Sequence, residues 1–178
     1  MKRLLILTAT GLFSMMVCQA QTTKPVQAAN ATSMGQLHNG PVHNISIGNM
    51  MYAQKVIQLW KDYDNNTMDN VGDLLADDVV ATFPDGSMVK GKDNWIKMIK
   101  DYRNNFSSVT STVMACTTLK SPDDPEHEVV TVWGEENDTS KDGTTVKTHL
   151  NEVWFFNKQG KVVMFHQMAA KDAPDKKD

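Results

Sequence analysis

Between Tyr52 and Tyr63 the large apolar residues fall at Tyr52, Val56, Leu59 and Tyr63, with Trp60 on the flank. Steps of four, three and four keep them on one face of a helix with a period of about 3.6, so a helix is predicted from about Gly48. Asp64-Asn65-Asn66 should end it, because short polar side chains bond their own backbone and favour turns. Met68, Val71, Leu74 and Leu75 predict a second, shorter helix. The third is the most regular, with Trp95, Met98, Ile99, Tyr102 and Phe106 on one stripe, Gly91 as the corner before it and Asp93 as its cap. Then the rhythm changes. Residues 109–119, 128–135, 144–156 and 161–169 are rich in Val, Thr, Trp and Phe and alternate in part. Turn formers separate them: Pro122-Asp123-Asp124-Pro125, the stretch 138–143, and Asn157-Lys158-Gln159-Gly160. They read as an antiparallel meander, which residues 79–83 join ahead of the Pro84-Asp85-Gly86 turn. Three helices followed by such a meander make an α+β domain whose helices cover one face of the sheet.

A chain of 178 residues has room for one such domain with extensions. Lys2 and Arg3, the apolar run over 4–17 and the small residues Cys18 and Ala20 predict a signal peptide over 1–20, and with it export to a periplasmic or extracellular space. The run is short for a membrane span, and no integral membrane segment is expected after processing. Lipidation of Cys18 is a minor alternative that Val17, just before it, fits poorly. Residues 21–46, rich in Thr, Gln, Asn and Ala, read as a disordered polar linker, 47–170 as the folded domain and 171–178 as a solvated tail. His38 and His43 lie in the linker, where two histidines do not make a metal site.

Loss of residues 1–20 takes Lys2 and Arg3 with it and moves the formal charge from −3 to −5. Lys90, Lys92, Lys97 and Lys100 are interrupted by acids and apolar residues, as on a solvated helix face. No basic stripe is left to meet nucleic acid. Cys116 is the only unmodified thiol after processing, which excludes an intrachain disulfide, and it reads as a small buried hydrophobe.

Three pieces of the chain resemble known proteins: LLADDVVATFPDG (74–86) with the GKDNW that follows (91–95), the WFFNKQGKV turn (154–162), and the order helix, helix, strand, helix, meander. Over 50–169 the chain resembles the nuclear transport factor 2-like (SnoaL-like) domain family. The resemblance implies a cone-shaped, curved antiparallel sheet with three N-terminal helices around a pocket. Its members include steroid isomerases, polyketide cyclases, dehydratases and transport factors, so the fold alone says little about chemistry. Ketosteroid isomerase chemistry needs a carboxylate base beside an oxyanion hole of a tyrosine and a protonated acid. In the register of ADDVVATFP the base position is Phe83 and the tyrosine position Leu59; only the acid has a counterpart, Glu152. Steroid isomerase activity is therefore not expected. Tyr63, one helical turn from Leu59, still points a hydroxyl toward the pocket in this reading.

Alternation puts Leu150, Glu152, Trp154 and Phe156 on one face of a strand and His149, Asn151, Val153 and Phe155 on the other. A carboxylate among aromatic side chains is raised in pKa by desolvation, which suits a general acid or base. Glu152 and Tyr63 are thus the catalytic candidates. The expected cavity lining is Leu59, Trp60, Tyr63, Phe83, Trp95, Met98, Tyr102, Trp133, Glu152, Trp154, Phe165 and Gln167. The family register sends Val162, Met164, His166 and Met168 outward. His127 is read as a solvated turn residue, and a site shared by His149 and His166 has no supporting spacing. No metal and no cofactor are expected. Met114, Met164 and Met168 on an outer sheet face suit a homodimer interface. The first functional reading is an exported protein that binds a small apolar molecule in its cone. The alternatives are a cofactor-free isomerase, dehydratase or cyclase using Glu152 and Tyr63, and a non-catalytic dimerising module.

Overall fold

The computed structural model of the chain describes residues 45–172. The predicted signal peptide with Cys18, the polar segment to residue 44 with His38 and His43, and residues 173–178 lie outside the described residues. In chain order the elements are β1 (Ser46–Ile47), α1 (Met50–Asp64), a 3₁₀ turn (Met68–Asp73), β2 (Leu75–Thr82), β3 (Met88–Lys90), α2 (Lys92–Arg103), β4 (Phe106–Lys120), β5 (His127–Ser140), β6 (Thr145–Asn157) and β7 (Val162–Lys171). All strands belong to one sheet in the order β1-β4-β5-β6-β7-β2-β3, antiparallel except where β2 runs parallel to β7.

Helix α1 starts where the Asn49 side chain accepts the Met51 N–H at 3.1 Å, and the Asn49 N–H is held by Glu128 at 2.6 Å. It buries Ala53, Val56, Leu59 and Trp60 against the sheet, as its apolar stripe requires. Helix α2 follows Gly91, whose φ of 86° suits glycine and whose N–H reaches the Val79 carbonyl at 2.8 Å. Asp93 lies in the first turn of α2 and is not its cap.

Several predicted elements change. The second helix is only a 3₁₀ turn. Asn70 and Gly72 are poor helix formers, and Leu75 instead opens β2 opposite Val162. Phe106 fits the spacing of α2 but begins β4, its ring 5.2 Å from that of Tyr102. Ser46, counted with the linker, pairs with Lys120, and Lys171, counted with the tail, pairs with Thr148. Val162 is buried rather than outward, because the β6–β7 register shifts between Phe155 and Phe156 and returns it to the inner face. The most consequential change is in β5. Its pairing with β4 and β6 runs on through Glu136 and Asp138 to Ser140, beyond the predicted strand end at 135.

Trp95, Trp154 and Phe165 pack with ring centroids 4.3 to 5.7 Å apart, between α2 and the sheet. Tyr52 stacks on Phe156 at 4.5 Å. Among the described residues no helix is long and apolar enough to cross a membrane.

Candidate functional site

Alternation along paired strands brings inward-facing residues into rows that cross the sheet. Val130, Trp154 and Phe165 form one row; Val132, Glu152 and Gln167 the next; then Gly134, Leu150 and Ala169; then Glu136, Thr148 and Lys171. Helices α1 and α2 cover these rows without filling the space beneath them. A cavity of about 620 Å³ remains.

Most of the predicted lining is there: Leu59, Trp60 and Tyr63 from α1, Phe83 after β2, Trp95, Met98 and Tyr102 from α2, and Glu152, Trp154, Phe165 and Gln167 from the sheet. Trp133 is not. It sits between two inward residues of β5, so its side chain leaves on the outer face, where it is 44% exposed. Phe83 makes the wall aromatic at the position where the family register would put a base.

Glu152 is buried, with 4% exposure. Its Oε2 accepts the Trp60 Nε1–H at 2.7 Å and the Trp154 Nε1–H at 3.1 Å, and its Oε1 accepts the Gln167 Nε2–H at 3.0 Å. Burial raises its pKa, while these three donors pull in the opposite direction. Trp60 reaches it by crossing Gly134. A Cβ there would lie 2.6 Å from the Thr112 carbonyl oxygen and 2.7 Å from the Trp60 ring, so only glycine allows the approach. Glu152 therefore ties α1 to β6 and β7 as much as it faces the cavity. Tyr63 lines the same cavity without a hydrogen bond to Glu152. Burial, then the charges of Glu136 and Asp138, raise its phenol far above the usual range, so its hydroxyl is a donor at neutral pH.

Two acids beyond the predicted strand end, Glu136 and Asp138, also line this cavity. Burial first, and then the charges of Asp138 and Glu152, push the Glu136 carboxyl up to about 9. Asp138 is raised by burial too, opposed by the hydrogen bond from Glu136 and by the charge of Arg103. The fold thus favours the protonated form of Glu136, hydrogen-bonded to Asp138. The buried Arg103 donates from Nε to the Tyr63 carbonyl at 2.7 Å and from Nη2 to the Asp64 carbonyl at 2.8 Å, at the negative end of the α1 dipole. Its Nη1 donates to the Phe106 carbonyl at 3.3 Å, and the guanidinium lies over the Tyr63 ring, 5.9 Å from its centroid. Asp64 in turn accepts from the Ser111 N–H and hydroxyl. Two buried polar atoms of the lining residues have no partner, Asp138 Oδ1 and Trp95 Nε1. Parity was the available signal for the acids, since Val130, Val132 and Gly134 continue at period 2 to Glu136 and Asp138.

The other titratable candidates lie elsewhere. His149 is held on the outer face by Glu135 at 3.2 Å and Asp172 at 2.7 Å. His166 lies opposite Val153, its Nε2 3.1 Å from Met164 Sδ, so the two histidines do not meet. His127 opens β5, half-buried beside Asp124 at 3.0 Å. Burial pushes the Cys116 thiol up to about 11, as for an unreactive packing residue. Among the described residues no three His, Cys, Asp or Glu side chains gather as metal ligands.

A curved, mostly antiparallel sheet closed by N-terminal helices over an open interior defines the nuclear transport factor 2-like class of α+β proteins. The SnoaL-like domain matches residues 54–165, and the chain belongs to that family. No curated protein matches the sequence. Three solved structures illustrate the likeness. An NTF2-like protein of unknown function from Burkholderia pseudomallei is 21% identical, with a TM-score of 0.54 over 68% of this chain and 90% of that one. An LEH-like epoxide hydrolase from M. tuberculosis is 12% identical, with a TM-score of 0.56 over 67% of this chain and 82% of that one. A hypothetical protein of ketosteroid isomerase-like fold from Catenulispora acidiphila, in complex with trimethylamine, is 12% identical, with a TM-score of 0.52 over 64% of this chain and 83% of that one. At these identities the likeness is one of fold.

Proposed function

We propose that the protein binds a small, largely apolar molecule inside its cone. The observation that carries this is the cavity itself: about 620 Å³ left open among Trp, Phe, Tyr, Leu and Met side chains, in the size range of small-molecule sites. A domain of this size gains by packing such space, and buried polar atoms without partners, here Asp138 Oδ1 and Trp95 Nε1, each cost about 1–3 kcal/mol unless something meets them. A ligand supplies both. The Catenulispora protein holds one small molecule, which supports the same use here.

Native mass spectrometry of protein from its own source should show a retained ligand. A panel of small aromatic compounds should quench the fluorescence of Trp60, Trp95 and Trp154 and raise the melting temperature; a ligand at roughly a hundredfold excess over Kd adds about 2.7 kcal/mol. A packed, dry interior in a crystal, with no compound shifting the melting temperature, overturns the reading.

A catalytic reading draws on Glu136 rather than on Glu152, whose oxygens already accept three N–H groups. Cofactor-free proton transfer from Glu136 would lose activity in Glu136→Gln with binding retained; equal turnover in that variant refutes it. The outer sheet face supports self-association, since Trp133 and Met168 are exposed there across Asn151. Sedimentation should give a dimer that Met168→Asp dissociates, and a monomeric native protein removes the idea. Export, read from residues 1–20, predicts a mature chain beginning after Ala20, and an intact N-terminus on protein from the source refutes it.

A further inference from the structure

The electrostatics of the cavity are one-sided. Asp85, Glu136, Asp138 and Glu152 line it, and among the described residues Lys171 is the cation that does so. Arg103 stands behind them, but its guanidinium is committed to three backbone carbonyls. Glu152 is satisfied by three N–H groups. Asp138 is not: it is 6% exposed, its Oδ1 has no partner, and it faces the cavity beside a second carboxyl that must stay protonated to remain there. The same space is walled by Tyr63, Trp60, Trp95, Trp154 and Tyr102. Rings present a negative face, so carboxylates and rings around one cavity both favour a cation, and neither favours an anion.

We propose that the ligand of this cavity carries a protonated amine seated against the Glu136–Asp138 carboxyl pair, with its apolar body among the tryptophans. The proposal rests on the cavity being a ligand site and names the chemical class of that ligand. An ammonium N–H gives Asp138 Oδ1 the donor it lacks, and its charge takes over the compensation that the Glu136 proton provides. A neutral alcohol supplies the donor without the charge, and a carboxylate ligand adds a further negative charge to the same wall.

Proton linkage follows. The groups that face the pair are Tyr63 and Asp64 from α1, Tyr102 and Arg103 from α2, Ser111 from β4, Thr148 and Glu152 from β6, and Lys171 from β7. Of these, Tyr63 and Tyr102 are raised by burial and stay neutral, while Arg103 and Lys171 act on Asp138 through their charge. A bound ammonium lowers the Glu136 carboxyl, so below pH about 9 binding releases protons and affinity rises with pH. The rise levels off near pH 9, where the free Glu136 is already ionised, and affinity falls once the amine itself loses its proton, above about pH 10 for an alkylamine.

The test compares 3-phenylpropylamine, 3-phenylpropanol and 3-phenylpropionate on the full chain by calorimetry, in buffers of different ionisation enthalpy. The expected result is that the amine binds at least about tenfold more tightly than the alcohol, that the acid does not bind, and that amine binding alone releases protons. Asp138→Asn should weaken the amine about tenfold and leave the alcohol unchanged. Alcohol and amine binding equally overturns the amine while leaving the cavity a ligand site. If none of the three binds at millimolar concentration, both readings fall. The wild-type series decides even if the Asp138 variant does not fold.

Discussion

Glu136→Gln should make the folding stability of this protein less dependent on pH. In the fold the Glu136 carboxyl holds its proton up to about pH 9; in the unfolded chain it titrates near the ordinary glutamate value of about 4.5. Between those values the unfolded chain has released a proton that the folded one retains. A carboxyl raised by folding therefore opposes folding increasingly as pH rises, by at most about 1.4 kcal/mol per pH unit. From pH 5 to 7 the ceiling is about 2.7 kcal/mol. Solvent screening through the open cavity softens that, and about 1 kcal/mol is expected. Glutamine keeps the shape and an N–H for Asp138 but cannot ionise. Urea unfolding of both proteins at pH 5, 6, 7 and 8, under one ionic strength, measures the difference of slopes and cancels the titrating groups that do not interact with Glu136. The variant should equal the wild type near pH 5 and exceed it by about 1 kcal/mol at pH 7. Parallel slopes would show that Glu136 is ionised in the fold and would refute the retained proton.

Glu152→Ala should cost about 2–4 kcal/mol, since it strands the N–H groups of Trp60, Trp154 and Gln167 inside the protein; chemical unfolding measures the loss, and a red shift of tryptophan emission should accompany it. Gly134→Ala should destabilise by about 1–3 kcal/mol, because the Thr112 carbonyl cannot retreat from the new Cβ, and a crystal of the variant should show Trp60 displaced from Glu152. Arg103→Met should lower stability by about 2–3 kcal/mol, by freeing the Tyr63 and Asp64 carbonyls at the end of α1, and should raise the Asp138 carboxyl further, visible in its NMR titration.

Periodicity alone determined a good deal. The stripe Tyr52, Val56, Leu59, Tyr63 is enough to make α1 and to say which side of it faces inward, because helix geometry is local. The strand pattern of β6 likewise placed Glu152, Trp154 and Phe156 on one face. With the LLADDVVATFPDG and WFFNKQGKV segments, that made the α+β cone and much of its lining legible, Glu152 included. What the pattern could not decide was where pairing ends and which parity faces in. Trp133 reads as a cavity residue by size, yet its place between Val132 and Gly134 sends it to solvent. Leu75 reads as helix until Val162 offers it a strand partner.

The acids show the limit most clearly. Glu136 and Asp138 look like solvated residues beside a turn, because parity from Val130, Val132 and Gly134 reaches them only if the strand continues, and a polar side chain does not mark where pairing ends. Strand pairing with β4 and β6 carries them under α1 and α2, and only there do they press on each other and on Glu152. A strand is made by its neighbours, and a carboxyl's pKa by whatever surrounds it. The sequence by itself thus determined the cone and its aromatic walls, while only the tertiary structure decided that a pair of neighbouring carboxyls stands inside it.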